Sequence, residues 1–100
     1  MMIIYTGKQA VFGIQLTIDK VWRYAMTATD VLTVKVSDEY GSVISTELTQ
    51  EDMDNVDKQV TVTYSSAQTA QLMPGRGKLM AYLNDLVVVQ PQKIMIKGAI

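Results

Sequence analysis

The chain has 100 residues, of which 48% are hydrophobic and 19% charged, and this size and composition predict one globular domain spanning residues 1–100. Nine Lys and Arg against ten Asp and Glu give a net charge of −1, which argues against a nucleic-acid partner or an anionic membrane surface. Because Cys and His are both absent, thiol and imidazole catalysis, the usual zinc and haem sites and disulfide bonds are excluded.

The first half of the chain alternates large apolar residues with polar or small ones, the period of two expected for strands with one buried face. The clearest such strand covers 12–19, and a second covers 31–37. The segment 38–41 then has Asp at its first position and Gly at its fourth, which is typical of a type I turn. It therefore predicts a hairpin that continues into a strand at 43–48.

The second half combines short helical turns with further strands. The segments 49–52 and 65–68 each place a hydroxyl residue three positions before a carboxyl or amide side chain, which predicts a capped helical turn. Alternation predicts strands at 60–64, 79–83 and 94–97. The last two form a hairpin whose turn lies near 84–85 or 90–91. Together the elements predict an all-β, antiparallel β-sandwich of about seven strands with one or two short helical turns.

The apolar runs of the chain are short. The longest are 1–5 and 86–89, far below the roughly 20 residues that a membrane-spanning helix needs. The first residues lack a basic leader followed by a long apolar stretch, so no signal peptide is expected. A membrane partner is likewise not expected.

The acidic run 51–57 offers the hard oxygen ligands that Ca²⁺ prefers. With Asp52 and Asp54 at the first and third positions of a calcium loop, Val56 would fall at the fifth, and Asp57 would occupy the position that requires Gly. We therefore expect a solvated acidic loop, with no metal and no other cofactor.

Catalysis by paired carboxylates is also disfavoured. Four aspartates lie beside predicted turns, where capping of backbone N–H groups is the better explanation of an acid side chain. They are Asp19, Asp30, Asp38 and Asp85. The segment 75–78 (GRGK) leads into an alternating strand and lacks the spacing of a phosphate-binding loop. We expect no enzymatic activity.

Two groups of side chains are candidates for contact with a partner. Met80 and Met95 fall on the polar faces of adjacent strands, where they form a weak apolar patch or pack against a second sheet layer. Trp22 and Tyr24 are residue types enriched at interfaces, although such a pair also closes the end of a sandwich core.

The order of elements, together with the stretches 29–36 (TDVLTVKV) and 68–76 (QTAQLMPGR), resembles the small immunoglobulin-like domain of tailed-phage and prophage structural proteins. The family includes the N-terminal domain of baseplate upper proteins. The resemblance covers nearly the whole chain and departs at 77–82 (GKLMAY), where the family often has Tyr with Asp.

The resemblance implies an immunoglobulin-like sandwich and a non-enzymatic role in tail or baseplate assembly. The implied partners are virion structural proteins or further copies of the chain, and the implied location is the virion or, before assembly, the bacterial host cytoplasm. We expect Trp22, Tyr24, Met80 and Tyr82 at the interface. The alternative is a carbohydrate-binding β-sandwich module, in which Trp22, Tyr24 and Tyr40 stack on sugar rings.

Overall fold

The computed structural model describes the backbone of residues 2–15, 17–18, 22–23, 26–54, 59–84 and 86–98, and the side chains of these residues except 15, 17–18, 22–23, 54 and 86–91. The described chain folds almost entirely into strands, with one 3-10 turn (Gln50–Asp52) and one short helix, α1 (Ser66–Thr69). The strands are β1 (Ile3–Tyr5), β2 (Ala10–Gln15), β3 (Thr17–Ile18), β4 (Trp22–Arg23), β5 (Leu32–Asp38), β6 (Val43–Leu48), β7 (Met53–Asp54), β8 (Gln59–Tyr64), β9 (Gly75–Leu83) and β10 (Leu86–Lys97). The all-β prediction is confirmed.

These strands form two main sheets around one core. The larger sheet has the order β1-β10-β9-β5-β6, and the smaller has the order β2-β8-β7, while β3 and β4 pair with each other. Both sheets contribute to a single cluster of buried apolar residues. From the larger sheet come Val34 and Val36, and from the smaller come Val60, Val62 and Tyr64, all fully buried. Burial of these β-branched and aromatic side chains drives the two sheets together.

The prediction of a wholly antiparallel arrangement is wrong in one respect. β1 lies parallel to β10, with Ile3 opposite Met95 and Tyr5 opposite Lys97. A parallel pair needs a long crossover connection, and here the connection is nearly the entire fold. A tight turn cannot make such a pair, so local patterns in the sequence did not indicate it.

The C-terminal hairpin is longer than predicted. β9 begins at Gly75, and β10 runs from Leu86 through Pro91 to Lys97. The register of the pair shifts between Val89 and Gln92, which accommodates a proline within the strand. The turn lies at Asn84, in the first of the two predicted places, and Asn84 has the positive φ of 49° that suits Asn in a tight turn.

Both predicted helical turns are present with the predicted caps. At the first, the backbone N–H of Thr49 donates to Asp52 Oδ2 at 2.9 Å. At α1, the backbone N–H of Gln68 donates to Ser65 Oγ at 3.2 Å, and the N–H of Ser65 donates to Gln68 Oε1 at 2.9 Å. This reciprocal pairing satisfies N–H groups that a helix start otherwise leaves without an acceptor. Neither helical segment in the described ranges is long and apolar enough to cross a membrane.

Candidate interaction surface

The larger sheet has two unlike faces, set by alternation along its strands. On the inner face, toward the core, lie residues such as Leu32, Leu79 and Ile94. The other face, here called the outer face, carries side chains that are exposed or half-buried. Across β1, β10, β9, β5 and β6 in turn, these are Ile3, Tyr5, Lys93, Met95, Lys97, Arg76, Lys78, Met80, Tyr82, Thr33, Lys35, Ser37, Val43, Ser45 and Glu47. The outer face is therefore a surface of five strands that a partner could contact.

Met80 and Tyr82, two of the four predicted interface residues, lie together on this face. Both are half-buried on β9, and the Tyr82 hydroxyl donates to Met80 Sδ at 3.6 Å. The neighbouring strand adds Lys35, whose Nζ lies 5.4 Å from the centre of the Tyr82 ring, within the range of a cation–π contact. Sequence reasoning did not identify Lys35, because its position beside Tyr82 depends on the register of β5 against β9.

The other predicted contacts are less completely described. Trp22 lies in β4 opposite Ile18, but its side chain is outside the described residues, and Tyr24 is outside them entirely. Tyr40, predicted for the sugar-binding alternative, is exposed in the turn between β5 and β6. Met95 lies opposite Arg76, four positions along β9 from Met80, which corresponds to about 13 Å. The predicted patch of Met80 with Met95 is therefore wrong.

Three cationic residues form what we call the basic groove. Lys78 and Lys93 are directly opposite each other on β9 and β10, and Arg76 lies two positions from Lys78. Directly opposite side chains on a sheet have Cβ atoms about 5 Å apart, and neighbours two positions along are about 7 Å apart. The groove has a volume of about 730 Å³, and Ser37 and Glu39 also line it.

Charge is unevenly distributed over the molecule. The outer face holds five of the chain's nine Lys and Arg residues, namely Lys35, Arg76, Lys78, Lys93 and Lys97. The same face holds one acidic residue, Glu47, on edge strand β6. A net charge near zero thus conceals a basic surface, which the sum over the sequence did not reveal.

The turn beside the groove is held by a buried carboxylate, that of Asp38. Its Oδ1 accepts the backbone N–H groups of Tyr40 and Ser42, each at 2.9 Å, and its Oδ2 accepts that of Met73, also at 2.9 Å. Burial alone would raise the pKa of Asp38, but the hydrogen bonds from Met73, Ser42 and Tyr40 outweigh it and hold the pKa below its ordinary value. The carboxylate joins the β5–β6 turn to the segment before β9.

A second buried carboxylate, that of Asp30, caps the opposite end of β5. Its Oδ2 accepts the backbone N–H of Thr27 at 2.9 Å, and its Oδ1 accepts Asn84 Nδ2 at 2.8 Å. Asn84 Oδ1 in turn accepts the N–H of Val31 at 3.0 Å. The predicted capping role is therefore confirmed for Asp30 and Asp38. Asp19 and Asp85 lie outside the described residues.

The acidic run is described only in part. Glu51 and Asp52 are exposed in the 3-10 turn, whereas 55–58 lie outside the described residues. Within the ranges that the structure describes, no group of three or more acidic side chains is placed to hold a metal ion. No protein-family model matches the chain, and no curated protein matches it either.

Proposed function

We propose that the chain is a non-enzymatic structural protein of a phage or prophage, associated with the tail or baseplate, and that it works by binding further copies of itself or a neighbouring virion protein. Its two sheets would form an immunoglobulin-like sandwich, as the resemblance of 29–36 and 68–76 implies. It would reside in the virion, or in the host cytoplasm before assembly.

The observation that carries the proposal is the open outer face with its apolar edges. Ile3 and Tyr5 on edge strand β1 are 42% and 45% exposed, and Val43 on the opposite edge strand, β6, is 54% exposed. Exposed apolar side chains at both edges, with the half-buried Met80 and Tyr82 between them, are typical of a surface that another protein covers.

The edge strands add a second means of contact. In the described chain, β6 pairs only with β5, so one side of its backbone can accept a strand from a partner. A long contact of 3.5 Å from Gln68 Nε2 to the Ser45 carbonyl covers part of this edge. Glu47, on the same strand, would oppose an acidic partner strand and favour a basic one.

The absence of catalysis is supported by the use already made of the buried carboxylates. Asp30 and Asp38 are engaged by backbone and amide N–H groups, and the lowered pKa of Asp38 suits a permanent hydrogen-bond acceptor rather than a proton donor. The sequence offers neither Cys nor His as a nucleophile or base.

The genes that flank this one provide the most direct test. Tail, head and lysis genes occupy separate clusters, so we expect neighbours that encode tail or baseplate proteins. A location among metabolic genes of the host, far from any phage gene, would contradict the proposal.

Light scattering tests the self-association part separately. We expect the mass of the purified chain to rise above 11.1 kDa with concentration. The double variant Met80→Ser with Tyr82→Ser should weaken association if these residues lie at the contact. Thr61→Ser with Thr63→Ser, at exposed positions on β8 of the smaller sheet, is the control. A constant mass at every concentration would leave only a different virion protein as the partner.

A further inference from the structure

The two ends of the larger sheet carry opposite charge. The basic groove lies at the end where Asp38 opposes Gly77. The 3-10 turn, with the exposed residues Glu51 and Asp52, follows the C-terminal end of β6, where Leu48 opposes Leu32. Strand β5 (Leu32–Asp38) spans the distance between them, about 20 Å. Among the described residues, the groove therefore forms a basic pole and the 3-10 turn an acidic pole.

The cations of the groove outnumber the acidic residues that line it, since Arg76, Lys78 and Lys93 lie there with Asp38 and Glu39. Lys78 and Lys93 are directly opposite each other, and like charges in that position repel. No ion pair joins Arg76, Lys78 or Lys93 to any residue that the structure describes. A carboxylate placed between them would remove the repulsion and gain charge-assisted hydrogen bonds.

We propose that the basic groove binds the acidic 3-10 turn of a second copy of the chain, so that copies associate head to tail. The inference rests on the proposed function in assembly and names the two surfaces involved. Asp52 already accepts a hydrogen bond within its own turn, whereas Glu51 makes none with a described residue. The Glu51 carboxylate therefore enters the groove and lies between Lys78 and Lys93.

The geometry of this contact determines the kind of assembly. The two surfaces are different, and each remains free at one end of any pair, so further copies can add. Head-to-tail contacts of this type produce rings when the rotation between copies closes, and filaments when it does not. A symmetric dimer would instead use the same surface on both copies.

A nucleic-acid ligand fits the groove less well. Three cations within about 7 Å are few beside the six to ten phosphate contacts typical of such binding. The chain itself provides a complementary acidic turn, which makes a second copy the better match.

The test compares charge reversals at the two poles of the full chain. Lys78→Glu in the groove and Glu51→Lys in the turn should each weaken association at least about tenfold, measured by sedimentation equilibrium at low salt. An equal mixture of the two variants should associate again, because each reversed surface then meets its complement. Lys8→Glu makes the same charge change in the loop between β1 and β2, at a residue that does not line the groove, and should leave association unchanged.

Salt and an oligonucleotide complete the experiment. Raising the salt from about 0.05 to about 0.5 M should return the mass toward that of one chain, since exposed charges are screened. A labelled single-stranded oligonucleotide of mixed sequence should not bind. Its binding to the wild type but not to Lys78→Glu would overturn the inference in favour of a nucleic acid.

The outcomes separate this inference from the proposed function. Association that survives both charge reversals, or a mixture of the two variants that stays dissociated, overturns the head-to-tail contact. Neither result contradicts the proposed role in assembly, which is tested by the flanking genes and by light scattering. A wild type that remains a single chain at low salt also overturns the inference. The positions of the flanking genes then decide the structural role independently. Circular dichroism of each variant confirms that a loss of association is not a loss of folding.

Discussion

The inner and outer faces of the larger sheet are made by alternate residues of the same strands, yet different forces determine them. On β9, Leu79 and Ala81 face the core, while Lys78, Met80 and Tyr82 face outward. The inner residues are fixed by burial, and any apolar residue of the right size fills the same role. The contacts of an outer residue depend on which side chains lie beside it on neighbouring strands. The register of the strands therefore matters more on the outer face than the type of each residue.

The largest contrast between the faces is expected from adjacent residues on β9. Leu79 is 2% exposed, so Leu79→Ala should lower the free energy of unfolding by about 3 kcal/mol through lost burial and a residual cavity. Met80→Ala, one position along on the outer face, should cost less than about 1 kcal/mol. Urea denaturation measures both. Equal losses would mean that the outer face is packed as tightly as the core.

The next effect concerns the carboxylate that holds the groove end of the sheet. Asp38→Ala leaves the N–H groups of Tyr40, Ser42 and Met73 without their acceptor and should cost about 2 kcal/mol. Glu39→Ala, at the adjacent exposed position, should change stability by less than about 0.5 kcal/mol. Thermal unfolding measures the stability of both variants. A larger loss of stability in Glu39→Ala than in Asp38→Ala would contradict the role given to the Asp38 carboxylate.

The same carboxylate makes stability depend on pH. Because the folded pKa of Asp38 lies below the ordinary value of 3.8, its contribution is present above that pH and is lost as pH falls through the folded pKa. Asp38→Asn should therefore lose less stability on acidification than the wild type. Denaturation at a series of acid pH values measures how steeply the stability of each protein falls with pH. Parallel curves for wild type and Asp38→Asn would contradict the prediction.

A smaller effect is expected where the two sheets meet inside the core. The Tyr64 hydroxyl donates to the Val34 carbonyl at 2.6 Å, and burial raises the pKa of Tyr64. Tyr64→Phe should cost about 1 kcal/mol, since one buried hydrogen bond is lost while the ring remains. Tyr5→Phe, on the exposed edge, is the matched control and should be neutral. A neutral Tyr64→Phe would show that the hydroxyl contributes nothing to joining the sheets.

The smallest predicted effect tests whether two side chains on the outer face interact with each other. A double-mutant cycle with Lys35→Met and Tyr82→Leu should give a coupling energy of about 0.5 kcal/mol for the cation–π contact. Chemical denaturation of the four proteins provides the values. A coupling of zero would place Lys35 and Tyr82 on the surface as independent side chains.

Local patterns were sufficient for the parts of the fold that depend on nearby residues. The hairpin of β5 and β6 was predicted from alternation and from the Asp38 turn, and α1 from the pairing of Ser65 with Gln68. In each case the decisive contacts join residues a few positions apart. These are the interactions that a single sequence displays directly.

Contacts between distant residues were missed for a corresponding reason. The first residues of β9 were not predicted because Gly77 occupies an inner position without an apolar side chain. A Cβ there would lie only 2.8 Å from Ile96 and from the Ser37 carbonyl oxygen, so the position suits Gly. The basic groove was missed because Lys78 and Lys93 belong to different strands and meet only through their register. Net charge is a sum over the chain and contains no information on which charges become neighbours.

The pairing of β1 with β10 has a consequence for folding kinetics. Ile3 cannot pair with Met95 until Met95 has been synthesised. During synthesis β1 therefore stays unpaired until β10 has emerged from the ribosome. Sheets closed by such distant contacts fold slowly, on the order of milliseconds to seconds, because most of the loop entropy is lost before the contact forms. The exposed backbone of β1 is therefore most open to pairing with another chain during synthesis.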